Sequence, residues 1–86
     1  MSEIEQQAHV QAVQEKYTDE LMRKRHVVGV AMGMAQKDGA YTQELAVVVM
    51  VDQKIPSEQL APEDRVPAEL DGVRVDVQET GAFFAQ

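Results

Sequence analysis

The sequence predicts a small α+β domain: an N-terminal helix packed on a mainly antiparallel three-stranded sheet, in the order α-β-β-short helical crossover-β. Three observations carry this. Residues 3–25 contain neither glycine nor proline and are rich in Glu, Gln and Ala, all compatible with helix. From Val27 the apolar period shortens to alternation on both sides of an Asp38-Gly39 pair, the pattern of a hairpin. After a stretch punctuated by Pro56, Pro62 and Pro67, Val73, Val75 and Val77 alternate with polar residues. Without an internal repeat or boundary, residues 1–86 read as a single domain.

The helix is expected over about residues 3–25. Ile4, Ala8, Ala12, Val13, Tyr17 and Leu21 fall near one stripe at helical spacing. Ser2 is a candidate N-cap, with Glu5 in the capping-box position. Glu3 and Glu5 at the start and Arg23-Lys24-Arg25-His26 in the last turn suit the helix dipole.

The first strand, about residues 27–36, has two unlike faces. Val28, Val30, Met32 and Met34 share one; Gly29, Ala31, Gly33 and Ala35 share the other, because strand side chains alternate. A glycine and alanine face admits close backbone approach, and the N-terminal helix is the simplest candidate to lie there. The return strand, about residues 41–52, is apolar at both parities from Leu45 to Val51, as expected of a strand covered on both sides. The crossover, residues 53–72, offers helical turns at Ser57-Glu58-Gln59-Leu60 and Pro67-Ala68-Glu69-Leu70, the second stopped by Asp71-Gly72. The third strand spans about residues 73–79, and the tail carries Phe83-Phe84.

Composition narrows function mainly by exclusion. A net charge of −7 makes nucleic acid a poor partner, since phosphate binding needs Lys and Arg. The one basic cluster, residues 23–26, has no aromatic residue for base stacking. Without cysteine, thiol catalysis, thiolate metal sites and disulfide support are excluded. No apolar run reaches the length of a membrane helix, and the N-terminus lacks a basic-then-apolar signal pattern. A cytoplasmic location with no membrane partner is the expectation.

Candidate chemistry is sparse. Ser2, Ser57, Thr18, Thr42 and Thr80 supply hydroxyls, with only His9 and His26 as bases. Glu5 and His9, four apart on the helix, make half a metal site, and no further element completes it. Gly29, Gly33 and Gly39 do not form a phosphate loop. Glu63-Asp64 and the Asp71, Asp76 pair lack calcium-loop spacing and read as solvated acids. The expectation is a non-enzyme without catalytic, cofactor or metal residues.

Four blocks in order, His26–Gly33, Glu44–Val49, Lys54-Ile55-Pro56 and Val66–Val77, resemble the non-catalytic N-terminal segment of bacterial trypsin-like serine peptidases and related small proteins, over roughly residues 27–79. The resemblance implies an accessory module. It carries over no catalytic residue, because the peptidase domain would begin only where this chain stops.

A short chain with one helix has little material to cover both faces of the second strand, so a second copy is the expected cover. The leading expectation is a self-associating assembly module that buries an apolar sheet face between subunits. Its interface would comprise Val28, Val30, Met32, Met34, Val47, Val49, Phe83 and Phe84. The alternative is a propeptide- or inhibitor-like module that binds a peptidase or peptide through a sheet edge or the Phe83-Phe84 tail.

Overall fold

The computed structural model describes residues 3–80. Helix α1, Glu3–Met22, lies on a four-stranded mixed sheet formed by β1 (Val27–Lys37), β2 (Ala40–Val51), β3 (Glu69–Leu70) and β4 (Val73–Glu79). The strand order is β1-β2-β4-β3. The class is α+β as expected, but the sheet has four strands where three were expected. Its centre is parallel: β2 runs antiparallel to β1 and parallel to β4. A parallel neighbour needs a long connection. Residues 52–72 provide it, with two single-turn 3-10 helices at Ser57–Gln59 and Pro62–Asp64.

The extra strand, β3, occupies part of the segment read above as a helical turn. Asp71 and Gly72 have φ of 49° and 80°, so the pair is not a helix stop but the two-residue turn of a β3–β4 hairpin. Left-handed φ at both central positions is what favours Asp-Gly in such turns. Asp38 and Gly39, at φ 53° and 82°, close the β1–β2 hairpin in the same way.

α1 ends three residues earlier than expected. Arg23 and Lys24 donate their N–H groups to Glu20 and Leu21 carbonyls, and His26 takes a left-handed φ of 71°, which ends the helical path. The basic cluster therefore lies in the connecting turn rather than in the helix's last turn. There Lys24 Nζ donates to the Glu63 carbonyl at 2.8 Å and the Arg25 N–H to Asp64 Oδ1 at 3.0 Å. The cluster fastens the crossover to the end of the helix.

The buried stripe of α1 is Val10, Val13, Leu21 and half-buried Tyr17, at spacings that keep one side of a helix facing inward. Ala8 and Ala12 are exposed, and Ile4 is 79% exposed. Ile4 and Ala8 do not join the core because the first two turns, residues 3–9, are exposed throughout, and Ala12 turns outward between buried Val10 and Val13. The expected Ser2 cap lies outside the described residues.

α1 packs on the valine and methionine side of the sheet, not on the glycine side. Its stripe forms one cluster with Val47, Val49, Val51, Val73 and Val75, flanked by Val30 and Met32. The glycines serve the opposite face. A Cβ on Gly29 would stand 2.8 Å from Met50 Cε, and one on Gly33 3.3 Å from Val48 Cγ2. The missing side chains make room for those of β2, across the β1–β2 ladder.

Candidate interaction surface

Alternation along β2 assigns each backbone group a direction. The Asp52 N–H donates to the His26 carbonyl, and the Thr80 N–H donates to the Val51 carbonyl. Even-numbered positions of β2 therefore bond toward β1 and odd-numbered ones toward β4. The register pairs Gly29, Ala31 and Gly33 with Met50, Val48 and Ala46. It follows that Val30 and Met32 turn their N–H and C=O groups away from β2, and no described strand lies on that side. No charged residue or proline interrupts the edge between His26 and Lys37, although charge and proline are the usual means of blunting one.

The far end of this edge is closed. β1 bends at an irregularity between Met34 and Gln36, and β1 and β4 come into contact although they are not neighbours in the sheet. The Gln36 N–H donates to Asp76 Oδ2 at 2.9 Å. Gln78 Nε2 donates to the same oxygen at 2.9 Å and to the Met34 carbonyl at 3.4 Å. Asp76, read from sequence as a solvated acid, is half-buried and organises this closure.

The curl seals the second face of β2. Ala35 and Ala46 are fully buried, and Val48 is 6% exposed. Beneath α1, Val47 and Val49 are at 0%. One chain thus keeps both parities of the apolar run dry, which removes the reason for covering that strand with a second copy.

The residues named as an interface are dispersed accordingly. Val47 and Val49 lie in the interior and have no surface to offer a partner. Val30 and Met32 are half-buried against the core with their backbones on the open edge. Val28 is half-buried at the β1 irregularity and stands apart from the hydrophobic cluster. Met34 is 43% exposed. Phe83 and Phe84 lie outside the described residues.

At the β3 edge of the sheet, the Asp71 turn is clasped to α1. Asp71 accepts Lys16 Nζ at 3.0 Å and Tyr17 Oη at 3.1 Å, and its carbonyl lies 3.3 Å from His9 Nε2. Lys16 and Tyr17 hold the Asp71 carboxyl below its ordinary range, and Asp71 in turn raises Lys16. All of these groups face water, so the clasp positions the turn more than it stabilises the fold. His26 Nδ1 lies 2.9 Å from Asp52 Oδ1. Each histidine thus meets an aspartate rather than a hydroxyl. Among the described residues, no group of three or more His, Cys, Asp or Glu is placed to hold a metal ion.

Helix, curled mixed sheet and clasped turn define a small α+β domain. The chain belongs to the NARROW LEAF 1 N-terminal domain family, which it matches over residues 9–78. This corrects the resemblance to the N-terminal segment of bacterial trypsin-like peptidases. The four sequence blocks quoted for that resemblance fall within the matched span. The expectation of a peptidase partner rested on the resemblance and is withdrawn with it. No curated protein matches the chain. No helix among the described residues is long and apolar enough to cross a membrane.

Proposed function

We propose that the chain is a non-catalytic interaction module that self-associates edge to edge, with β1 of one copy antiparallel to β1 of a second. The observation that carries the reading is the unprotected stretch at Val30 and Met32, whose outward backbone groups face no described strand and meet no charge or proline. Antiparallel pairing of a strand with its own copy is compatible with a two-fold axis, the commonest symmetry of small homo-oligomers. Main-chain hydrogen bonds supply the affinity in such strand addition. The mode differs from burial of a sheet face, because α1 and the curled hairpin already occupy both sides of β2.

Native mass spectrometry and light scattering at micromolar concentrations test this. The expected species is a concentration-dependent dimer of twice 9.6 kDa. Val28→Lys places an edge charge outside the core cluster and should return a monomer with an unchanged circular dichroism spectrum. A wild-type protein that remains monomeric up to millimolar concentration sinks the reading, as does a dimer indifferent to Val28→Lys.

A further inference from the structure

A cleft of about 140 Å³ opens where the crossover meets the ends of β2 and β4. Val51, Ile55, Leu60 and Val77 form its apolar wall, and Arg25 and Lys54 border it. The volume is close to the about 150 Å³ of an engineered apolar cavity that holds one benzene. It matches a single ring or a branched side-chain-sized group.

The polar groups around the cleft are not equivalent. Asp64 Oδ1 accepts the Arg25 N–H at 3.0 Å, and Asp52 Oδ1 lies 2.9 Å from His26 Nδ1. Glu79 Oε1 accepts the Lys54 N–H at 2.8 Å. The carboxylates nearby are therefore engaged. The Arg25 guanidinium and the Lys54 ammonium carry no hydrogen bond or ion pair among the described residues. In a chain with eight cations against fifteen acids, the residues that line this cleft include two cations, Arg25 and Lys54, against one acid, Asp64.

We propose that this cleft binds a small carboxylic acid bearing one aromatic or branched apolar group. The apolar part enters against Leu60 and Val77, and the carboxylate remains at the mouth between Arg25 and Lys54. Hydrogen bonds in which the donor or the acceptor is ionised are about twice as strong as neutral ones, so the headgroup supplies selectivity and the cleft supplies size. The site is separate from the β1 edge, and its occupancy does not depend on self-association.

The test is a titration of the full chain with 3-phenylpropionate, followed by amide NMR shifts and by calorimetry. Saturable binding is expected, with shifts concentrated at Val51, Ile55, Leu60 and Val77. The neutral 3-phenylpropanol should bind about tenfold more weakly, the loss expected for one charge-assisted interaction. The double variant Arg25→Gln, Lys54→Gln should abolish that preference while leaving the weaker alcohol binding in place. Leu60→Glu, at a half-buried crossover position outside the core cluster, should weaken both ligands and leave the fold intact. The proposal is overturned by absence of saturable acid binding, by equal affinity for acid and alcohol, or by a preference that survives the double variant.

Discussion

The two faces of β2 are both dry, and they are kept dry by opposite means. On one, side-chain volume does the work: Val10, Val13 and Leu21 of α1 close over Val47, Val49 and Val51. On the other, absence of volume does it. Glycines on β1 admit Met50 and Val48, and the hairpin bends until Asp76 and Gln78 can hold its backbone. The first face depends on apolar transfer, roughly 1.5–3 kcal/mol for each fully buried Val or Leu. The second depends on close approach and satisfied hydrogen bonds, which fail in a different way when perturbed. A strand covered on both sides does not need two layers of helix, or a second chain, when one cover is the sheet's own curl.

The largest effect belongs to the helical face. Val49→Asp places a charge without a partner at a fully buried position, a cost of several kcal/mol against the small total stability of a domain this size. Loss of cooperative thermal unfolding at every protein concentration is expected. A variant that merely dissociates and remains folded would return Val49 to a subunit interface and undo the distinction between the two faces.

On the curled face the critical group is polar. Asp76→Ala leaves the Gln36 N–H and Gln78 Nε2 without their shared acceptor, and an unsatisfied buried donor costs about 1–3 kcal/mol. Asp76→Asn keeps an acceptor oxygen and should lose less. The denaturant midpoint should fall in that order, with faster amide exchange at Gln36. Equal midpoints for the two variants would mean that charge, not the hydrogen bonds, holds the bend.

The glycines sharpen the contrast further. A Cβ at Gly33 meets the Val48 methyl at 3.3 Å, and a β-branched neighbour has little rotamer freedom to yield. Gly33→Ala should therefore destabilise, by about 1 kcal/mol at the low end of overpacking costs. At Gly29 the obstacle is the Met50 methyl, the free end of an adaptable side chain. Gly29→Ala should be near neutral, because the reduced freedom of the unfolded chain offsets the shift. Paired thermal melts check the order, and the reverse order would show that Met50 is locked in place.

This asymmetry explains what the sequence reveals and what it conceals. Periodicity locates α1, β1, β2 and β4, and the first Asp-Gly pair marks its hairpin, because those signals are local. The Gly29, Ala31, Gly33 stripe announces a close approach but not which group approaches; the helix and the β2 side chains satisfy it equally well. The second Asp-Gly pair is ambiguous because only two residues, Glu69 and Leu70, pair ahead of it, too few to carry a period. Asp76 and Gln78 follow the polar rhythm of a one-sided strand, and only the bend of β1 turns that side into an interior. Arg25 and Lys54 are distant in sequence and meet at one cleft through the crossover. The outward parity of Val30 and Met32 depends on a strand order that no short segment encodes.

The smallest effect separates the two Asp-Gly turns, which share a dipeptide and a backbone conformation. Only Asp71 is clasped to α1, through Lys16 and Tyr17, and folding lowers its pKa from the ordinary 3.8. A carboxyl lowered on folding stabilises the native state above its unfolded pKa, and this contribution is lost as pH falls through the folded value. Lys16 is raised from 10.5, so its share is present below that value and lost as pH climbs through the folded one. Asp71→Asn preserves a residue tolerant of left-handed φ while removing the charge. The difference in urea midpoint between wild type and Asp71→Asn should be level near neutrality and shrink on acidification below about pH 3.8, the ordinary carboxyl value. Added salt should shrink it at neutral pH too, because both partners face water. Asp38→Asn, at the turn that makes no ion pair among the described residues, should be indifferent to salt. If the Asp71→Asn difference stays level on acidification and in added salt, the clasp contributes nothing that the turn conformation does not already provide.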